Sequence, residues 1–281
     1  MANFRKLIGW SVAQPFIRSG ARRRALHAYE ADDVFLSLCA HDPTPETLRA
    51  LLTFLRTNDF TFLTETDVLQ REPIPGRTAW LTFDDGWKRF KDCLKVLEEF
   101  DIPATLFIAP GETQRGYLWT NALMPYRSMA YIRSLYPFSA RERLARVTDI
   151  LDGRLPQTLM TPDDIAALAS HPLVNIGNHT LTHLSASDRP VEDLLAEVLT
   201  AQTLIADWTG TLPRTVCYPF GHRTQATDAA LRSRGLTPIG LLPGRDRLTD
   251  PGLYRNMIYD DVSLAENTCR VLGAWVPIRR T

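Results

Sequence analysis

Short apolar runs alternate with amphipathic helical stretches along most of this chain, and that alternation limits the fold more than any other feature. Strands separated by helices pair side by side in one direction, so the pattern predicts parallel strands with helical crossovers. Val34–Ala40 reads as the first strand. Thr44, Pro45 and Glu46 then carry helix-start chemistry ahead of Leu48, Leu51, Leu52 and Leu55 at helical spacing. Further strands are predicted over 60–63, 80–83, 104–108, 174–177, 215–218, 239–242 and 254–258. Helices are predicted over 87–100 and 190–208. The fold class is α/β.

With 281 residues, 44% of them hydrophobic, the chain can bury a full core. Residues 1–30 read as a basic helical segment and 31–281 as a single domain. Residues 112–160 break the strand–helix rhythm. They carry Tyr117, Trp119, Tyr126, Tyr131 and Tyr136, then a charged helical run from Ser139 to Leu151. A helical insertion beside the functional site is expected there. Its aromatic residues could stack on sugar faces, although their helical spacing fits a packed core better.

Formal net charge is zero, and no acidic or basic tail stands out, which argues against a nucleic-acid partner. Cys39, Cys93, Cys217 and Cys269 are far apart and form no Cys-x-x-Cys pair, so buried reduced thiols are expected. No stretch is long enough to span a bilayer. The first thirty residues mix Arg5, Lys6, Arg18 and Arg22–Arg24 with Gly9 and Pro15, unlike a secretory signal, so a cytoplasmic location is expected. This segment suits a helix packed on the domain. It could also lie on a membrane surface, with Phe4, Leu7, Ile8 and Trp10 toward lipid.

The chemistry is concentrated just after predicted strands. Asp84 and Asp85 follow one, and His179 and His183, four residues apart, follow another. On a helix or a tight turn that spacing puts both rings on one side. Asp85, His179 and His183 make a two-histidine, one-carboxylate set that suits zinc, with cobalt and nickel also accepted. Such a catalytic site keeps a position open for water or substrate, and Asp84 is left free to take a proton. The carboxyl ends of parallel strands meet on one face, so these segments can converge with His41 and with Pro219–Phe220–Gly221. The set reads as a hydrolase centre.

Thr82-Phe-Asp-Asp-Gly86, His179-Thr-x-x-His183 and Tyr218-Pro-Phe-Gly221, in this order, resemble the polysaccharide deacetylase family. This is the NodB-homology fold of carbohydrate esterase family 4. The resemblance covers about 34–258 and implies a distorted (β/α)7-type barrel holding one divalent metal. It makes Asp84 the general base and Asp85, His179 and His183 the metal ligands. Tyr218, Pro219 and Phe220 correspond to the third family motif, in which the aromatic residue's N–H holds the developing oxyanion.

Two departures from the family pattern carry information. Cys217 stands where the family usually has an arginine paired with the catalytic aspartate. A branch with a Tyr-Pro-Tyr-Gly motif supplies that arginine from a later strand, and Leu253-Tyr-Arg255-Asn resembles this segment, which makes Arg255 the candidate to orient Asp84. The family's late strand with a general-acid histidine has no counterpart in Val271–Thr281. Leu38-Cys-Ala-His41-Asp42 resembles it at the other end of the chain, as in permuted members, and makes His41 the general acid. His222 could also line the site.

The resemblance implies a metal-dependent hydrolase that removes the N-acetyl group from an amino sugar in a glycan or glycan precursor. Hydrolysis of another amide, such as an N-formyl sugar, is a neighbouring reading. A catalytically silent barrel that binds a glycan or a partner is a third. The missing motif arginine hints at it, and retention of both aspartates and both histidines argues against it.

Overall fold

A computed structural model of the chain describes residues 2–187, 189–252 and 254–274, and for 2–4 the backbone alone. The side chain of Phe4, Leu253 and the C-terminal stretch 275–281 therefore lie outside the described residues. The chain gathers into two compact units. The first comprises the residues up to 83, 89–105 and those from 241 on, and the second comprises 84–88 and 106–240.

In chain order, α1 (Ala2–Arg18) and α2 (Ala21–His27) precede β1 (Val34–Ala40), whose seven residues are all buried. α3 (Pro45–Thr57) starts where the Thr44 hydroxyl accepts the Thr47 N–H, and it buries Leu48, Leu51, Leu52 and Leu55. β2 (Thr61–Phe62), α4 (Glu65–Gln70), β3 (Thr78–Asp84), α5 (Phe90–Phe100) and β4 (Ala104–Ile108) follow. The helix expected from Trp87 begins three residues later. Gly86 sits at φ 81°, and Trp87 forms an antiparallel bridge with Leu159, so the chain is still extended there.

Residues 110–151 are helical, as α6 (Pro110–Arg115), α7 (Trp119–Leu123), α8 (Met129–Ser134) and α9 (Ala140–Leu151). Ser139 and Glu142 close a reciprocal capping box at the start of α9. α10 (Pro162–Ala169), β5 (Val174–Asn178), α11 (Val191–Thr209) and β6 (Thr215–Cys217) lead to a 3-10 turn over Pro219–Gly221. α12 (Gln225–Arg232), β7 (Thr237–Ile239), β8 (Asp246–Arg247), β9 (Asn256–Met257) and α13 (Leu264–Val271) complete the order. The two late strands are shorter than expected. Leu242 and Tyr254 meet as an isolated parallel bridge outside either strand.

In the first unit β1 is the hub. It runs parallel to β3 from Phe35↔Thr78 to Ala40↔Phe83, parallel to β9 at Leu38↔Asn256, and antiparallel to β8 at Val34↔Arg247. Ser37 and the apolar residues of β1 are buried on both faces, as a parallel strand covered by helices requires. In the second unit β6 pairs in parallel with β5 at Asn178↔Val216 and with β7 from Thr215↔Thr237 to Cys217↔Ile239. The inserted helices keep a core of their own, in which Tyr117, Trp119, Leu123, Ile132, Val147 and Leu151 are buried. Tyr126 stays exposed. All four cysteines are buried free thiols. No helix among the described residues is long and apolar enough to cross a membrane.

Candidate active site

Asp84 is the last residue of β3, and Asp85 follows it in the left-handed region at φ 76°. A single left-handed residue turns the chain sharply, so neighbouring carboxylates can serve different partners. Asp85 Oδ1 lies 3.5 Å from His179 Nε2 and 3.4 Å from His183 Nε2. Its other oxygen, Oδ2, accepts the Trp87 indole N–H at 3.1 Å. Trp87 packs with Leu118 and Leu159.

His179 and His183 sit on an irregular turn after β5, not on a helix. Thr180 (φ 63°) and His183 (φ 51°) are both left-handed, and this brings the two rings to 4.9 Å between centroids. The His179 N–H donates to the Ile108 carbonyl of β4 at 2.9 Å. Its Nδ1–H donates to the Cys217 carbonyl at 2.8 Å, which turns Nε2 toward Asp85.

These residues fit a divalent metal. Ligand atoms at about 2.0–2.1 Å from a tetrahedral ion stand roughly 3.3 Å from one another, close to the two separations found here. The three donor atoms fall within 4.8 Å of one another and belong to buried residues. Burial pushes the His183 imidazole down to about 4, against the pull of Asp85, so its nitrogen is free of a proton near neutrality. Burial also disfavours a charge on His179. The Cys217 sulfur, Asp85 and Asp84 outweigh it and hold that imidazole well above its ordinary value.

Asp84 is 2% exposed, and the Cys217 thiol points at its Oδ2 from 3.6 Å. Asp84, His179 and Cys217 also group within 4.8 Å of one another, which sets a second carboxylate beside the Asp85–His179–His183 trio.

The third motif supplies the wall. Phe220 is left-handed at φ 62° inside the 3-10 turn, and its ring meets His183 edge-on at 4.6 Å. Tyr136 of the insertion stacks on it at 4.3 Å. His222 bonds the Ser185 hydroxyl at 2.7 Å and meets Tyr136 edge-on. Pro219 is buried, and the Tyr218 ring turns into the core, where its hydroxyl donates to Asp228 at 2.9 Å. The sequence placed Tyr218 with the substrate contacts. Its phenol is engaged elsewhere because α12 offers it a carboxylate.

His41 and Arg255 belong to the first unit. His41 follows β1, half-buried, with Nδ1 3.8 Å from Cys39 Sγ. Arg255 is 1% exposed and donates from Nη1 to Thr82 Oγ1 at 2.9 Å. Thr82 and Asp84 are two apart on β3, so their side chains leave the strand on the same side.

Residues 71–239 match the family described as polysaccharide deacetylase. The chain belongs to the polysaccharide deacetylase family. Solved deacetylase structures resemble it over most of its length. A polysaccharide deacetylase from Bacillus cereus aligns at 14% identity and TM-score 0.62, over 85% of this chain and 69% of that one. IcaB from Ammonifex degensii aligns at 18% identity and TM-score 0.60, over 86% and 97%. The BpsB deacetylase domain from Bordetella bronchiseptica aligns at 19% identity and TM-score 0.59, over 82% and 97%. Likeness at such identities shows the fold, which is the NodB-type α/β deacetylase fold that the motifs implied. Among curated proteins no sequence matches.

Two contacts at the candidate site were missed in the sequence. The Trp87 indole had a readable signal, because a buried N–H two residues after a ligand carboxylate needs an acceptor. Tyr136 had none, since one tyrosine among several in a helical insertion does not reveal which ring reaches Phe220.

Proposed function

We propose that this deacetylase is a metal-dependent de-N-acetylase acting on an N-acetylated amino sugar of a glycan or glycan precursor. The observation that carries the reading is the buried Asp85–His179–His183 trio with a second carboxylate, Asp84, beside it. A bound divalent ion, zinc on this donor set, supplies Lewis acidity toward water and the acetyl carbonyl. Asp84 takes the proton of the attacking water. The Phe220 N–H faces the developing oxyanion. His41 returns a proton to the leaving nitrogen, so that acetate and a free amine result. Arg255 takes the part of the arginine that orients Asp84. The Phe220 and Tyr136 rings give an apolar wall suited to a sugar face.

The test is acetate release from N-acetylated and N-formylated amino sugars, by the zinc-loaded protein and by Asp84→Asn. Turnover in the wild type that Asp84→Asn loses while still binding one zinc supports the reading. Equal turnover in both would remove Asp84 from the role of base. Glycan binding without turnover in the wild type would favour a silent barrel.

We also propose that this deacetylase works in the cytoplasm, against an anionic membrane surface. α1 packs on α13, where a Cβ at Gly9 would meet the Glu266 carboxylate. That packing leaves Leu7 60%, Ile8 48%, Trp10 49% and Val12 43% exposed, with Lys6, Arg18 and Arg23 exposed nearby. Apolar side chains ringed by basic ones suit an anionic bilayer. Co-sedimentation with phosphatidylglycerol vesicles, lost on Leu7→Glu/Trp10→Glu and absent with neutral vesicles, is the expected result. Equal recovery with both vesicle types removes the surface role.

A further inference from the structure

We propose that Arg143, on α9 of the helical insertion, is a positioning residue for the metal ligand His183, acting through Thr182. The inference rests on the metal-centre reading given above and extends it to a residue outside the family motifs.

The turn from His179 to His183 has two left-handed residues and no regular backbone ladder, so other groups must hold its shape. The Thr180 N–H donates to Asn178 Oδ1 at 2.8 Å, and the Leu184 N–H donates to Thr180 Oγ1 at 2.9 Å. The Leu181 carbonyl accepts the Gly111 N–H of α6 at 2.8 Å. Thr182 takes the largest share. Its N–H and hydroxyl both donate to the Glu197 carboxylate, at 2.7 and 2.8 Å. Its carbonyl and hydroxyl oxygens both accept from Arg143 Nη2, at 3.1 and 2.9 Å. Every polar group of the residue before His183 is thus engaged by a charged side chain, which is the stronger class of hydrogen bond.

Arg143 is built for this task. It is 1% exposed, although burying a guanidinium is costly without nearby opposite charge. Glu112 and Glu197 provide that charge. The guanidinium lies over the Trp119 ring at 4.9 Å, and Trp119 is fixed in turn by its backbone N–H on Glu112 at 2.9 Å. Among the described residues, Nε and Nη1 of Arg143 find no acceptor. The cavity beside them has room for about one water, too small for a substrate group. Among the described residues, the nitrogen with acceptors is Nη2, aimed at Thr182. A ligand turn held in a sparsely populated conformation needs such support to keep its ring aimed.

The experiment compares wild type with Arg143→Met, Arg143→Lys, Thr182→Val and the Arg143→Met/Thr182→Val double variant. Zinc affinity is read by calorimetry and the ligand field by visible absorption of the cobalt-loaded protein. Arg143→Met is expected to weaken zinc 10- to 100-fold at unchanged stoichiometry and to alter the cobalt bands. Arg143→Lys, which keeps the charge facing Glu112 and Glu197, should recover part of that loss. The losses in the double variant should be less than additive, since the two substitutions share the bond from Arg143 to the Thr182 hydroxyl. Wild-type zinc affinity and cobalt bands in a folded Arg143→Met, or fully additive losses in the double variant, would overturn the proposal. A wild type that takes no zinc would sink the metal reading instead. Amide exchange of residues 179–184 then decides the positioning role by itself. Faster exchange in Arg143→Lys and Arg143→Met supports it, and unchanged exchange rules it out.

Discussion

The Cys217 thiol points at Asp84 Oδ2 from 3.6 Å. Cys217 closes β6, and its own carbonyl holds the His179 ring, so one residue touches both Asp84 and His179. A thiol is a weak donor compared with the guanidinium usual at this place in the family. Replacing it should leave the fold intact and alter the base. Cys217→Ala is expected to lower kcat/KM about three- to tenfold, the equivalent of roughly 1 kcal/mol, with zinc affinity nearly unchanged. Cys217→Ser keeps a donor and should fall between. A pH–rate profile checks this, because loss of the donor raises the acidic limb.

Trp87 holds Asp85 Oδ2 while Oδ1 faces the histidines. Trp87→Phe removes only the indole N–H and should keep the packing against Leu118 and Leu159. Zinc binding is expected to weaken about 10- to 100-fold, the usual effect of freeing a ligand carboxylate from its support. Calorimetry with zinc is the measurement, and an unchanged dissociation constant would show that Asp85 holds its place unaided.

Burial pushes the Glu112 carboxyl up to about 7, against the pull of Arg115 and of the Trp119 N–H. Between its unfolded value near 4.5 and about 7 the folded protein holds a proton that the unfolded chain has released. Stability should therefore decline as pH rises through that window and level off above it. The whole effect is on the order of 3 kcal/mol. Urea denaturation at a series of pH values should show this decline in the wild type and a flatter profile in Glu112→Gln.

Gly177 lies in β5, and a Cβ there would come within 2.4 Å of the Phe107 ring and 3.1 Å of Thr215 Oγ1. Phe107 is buried on β4 and has nowhere to move. Gly177→Ala is expected to destabilise the protein by about 1–3 kcal/mol and to lower Tm by several degrees. A melting curve decides the point.

Much of this was legible in the sequence. Apolar runs bounded by cap residues placed β1, α3, β4, β5 and α11 to within a residue or two, because burial on both faces leaves a signature in composition. The candidate ligands stood out for a similar reason. Metal chemistry tolerates few donor types, so Asp85, His179 and His183 stand out, and the structure brings them together. The start of α5 was not legible, since Trp87 follows the helical periodicity and is drawn out of it by a pairing with Leu159. The short strands after β7 were blurred likewise, their pairing being set by distant partners.

The sequence by itself determined the fold class, the family and the atoms that can hold a metal, all of which depend on local pattern and residue chemistry. The tertiary structure decided which side chains support those atoms. Tyr218 turns to Asp228, Cys217 turns to Asp84, and Arg143 crosses from the insertion to Thr182. Each choice depends on which partner a fold places within about three to four ångströms, and hydrogen bonds lose their strength beyond that reach. Periodicity along a chain carries no information about it.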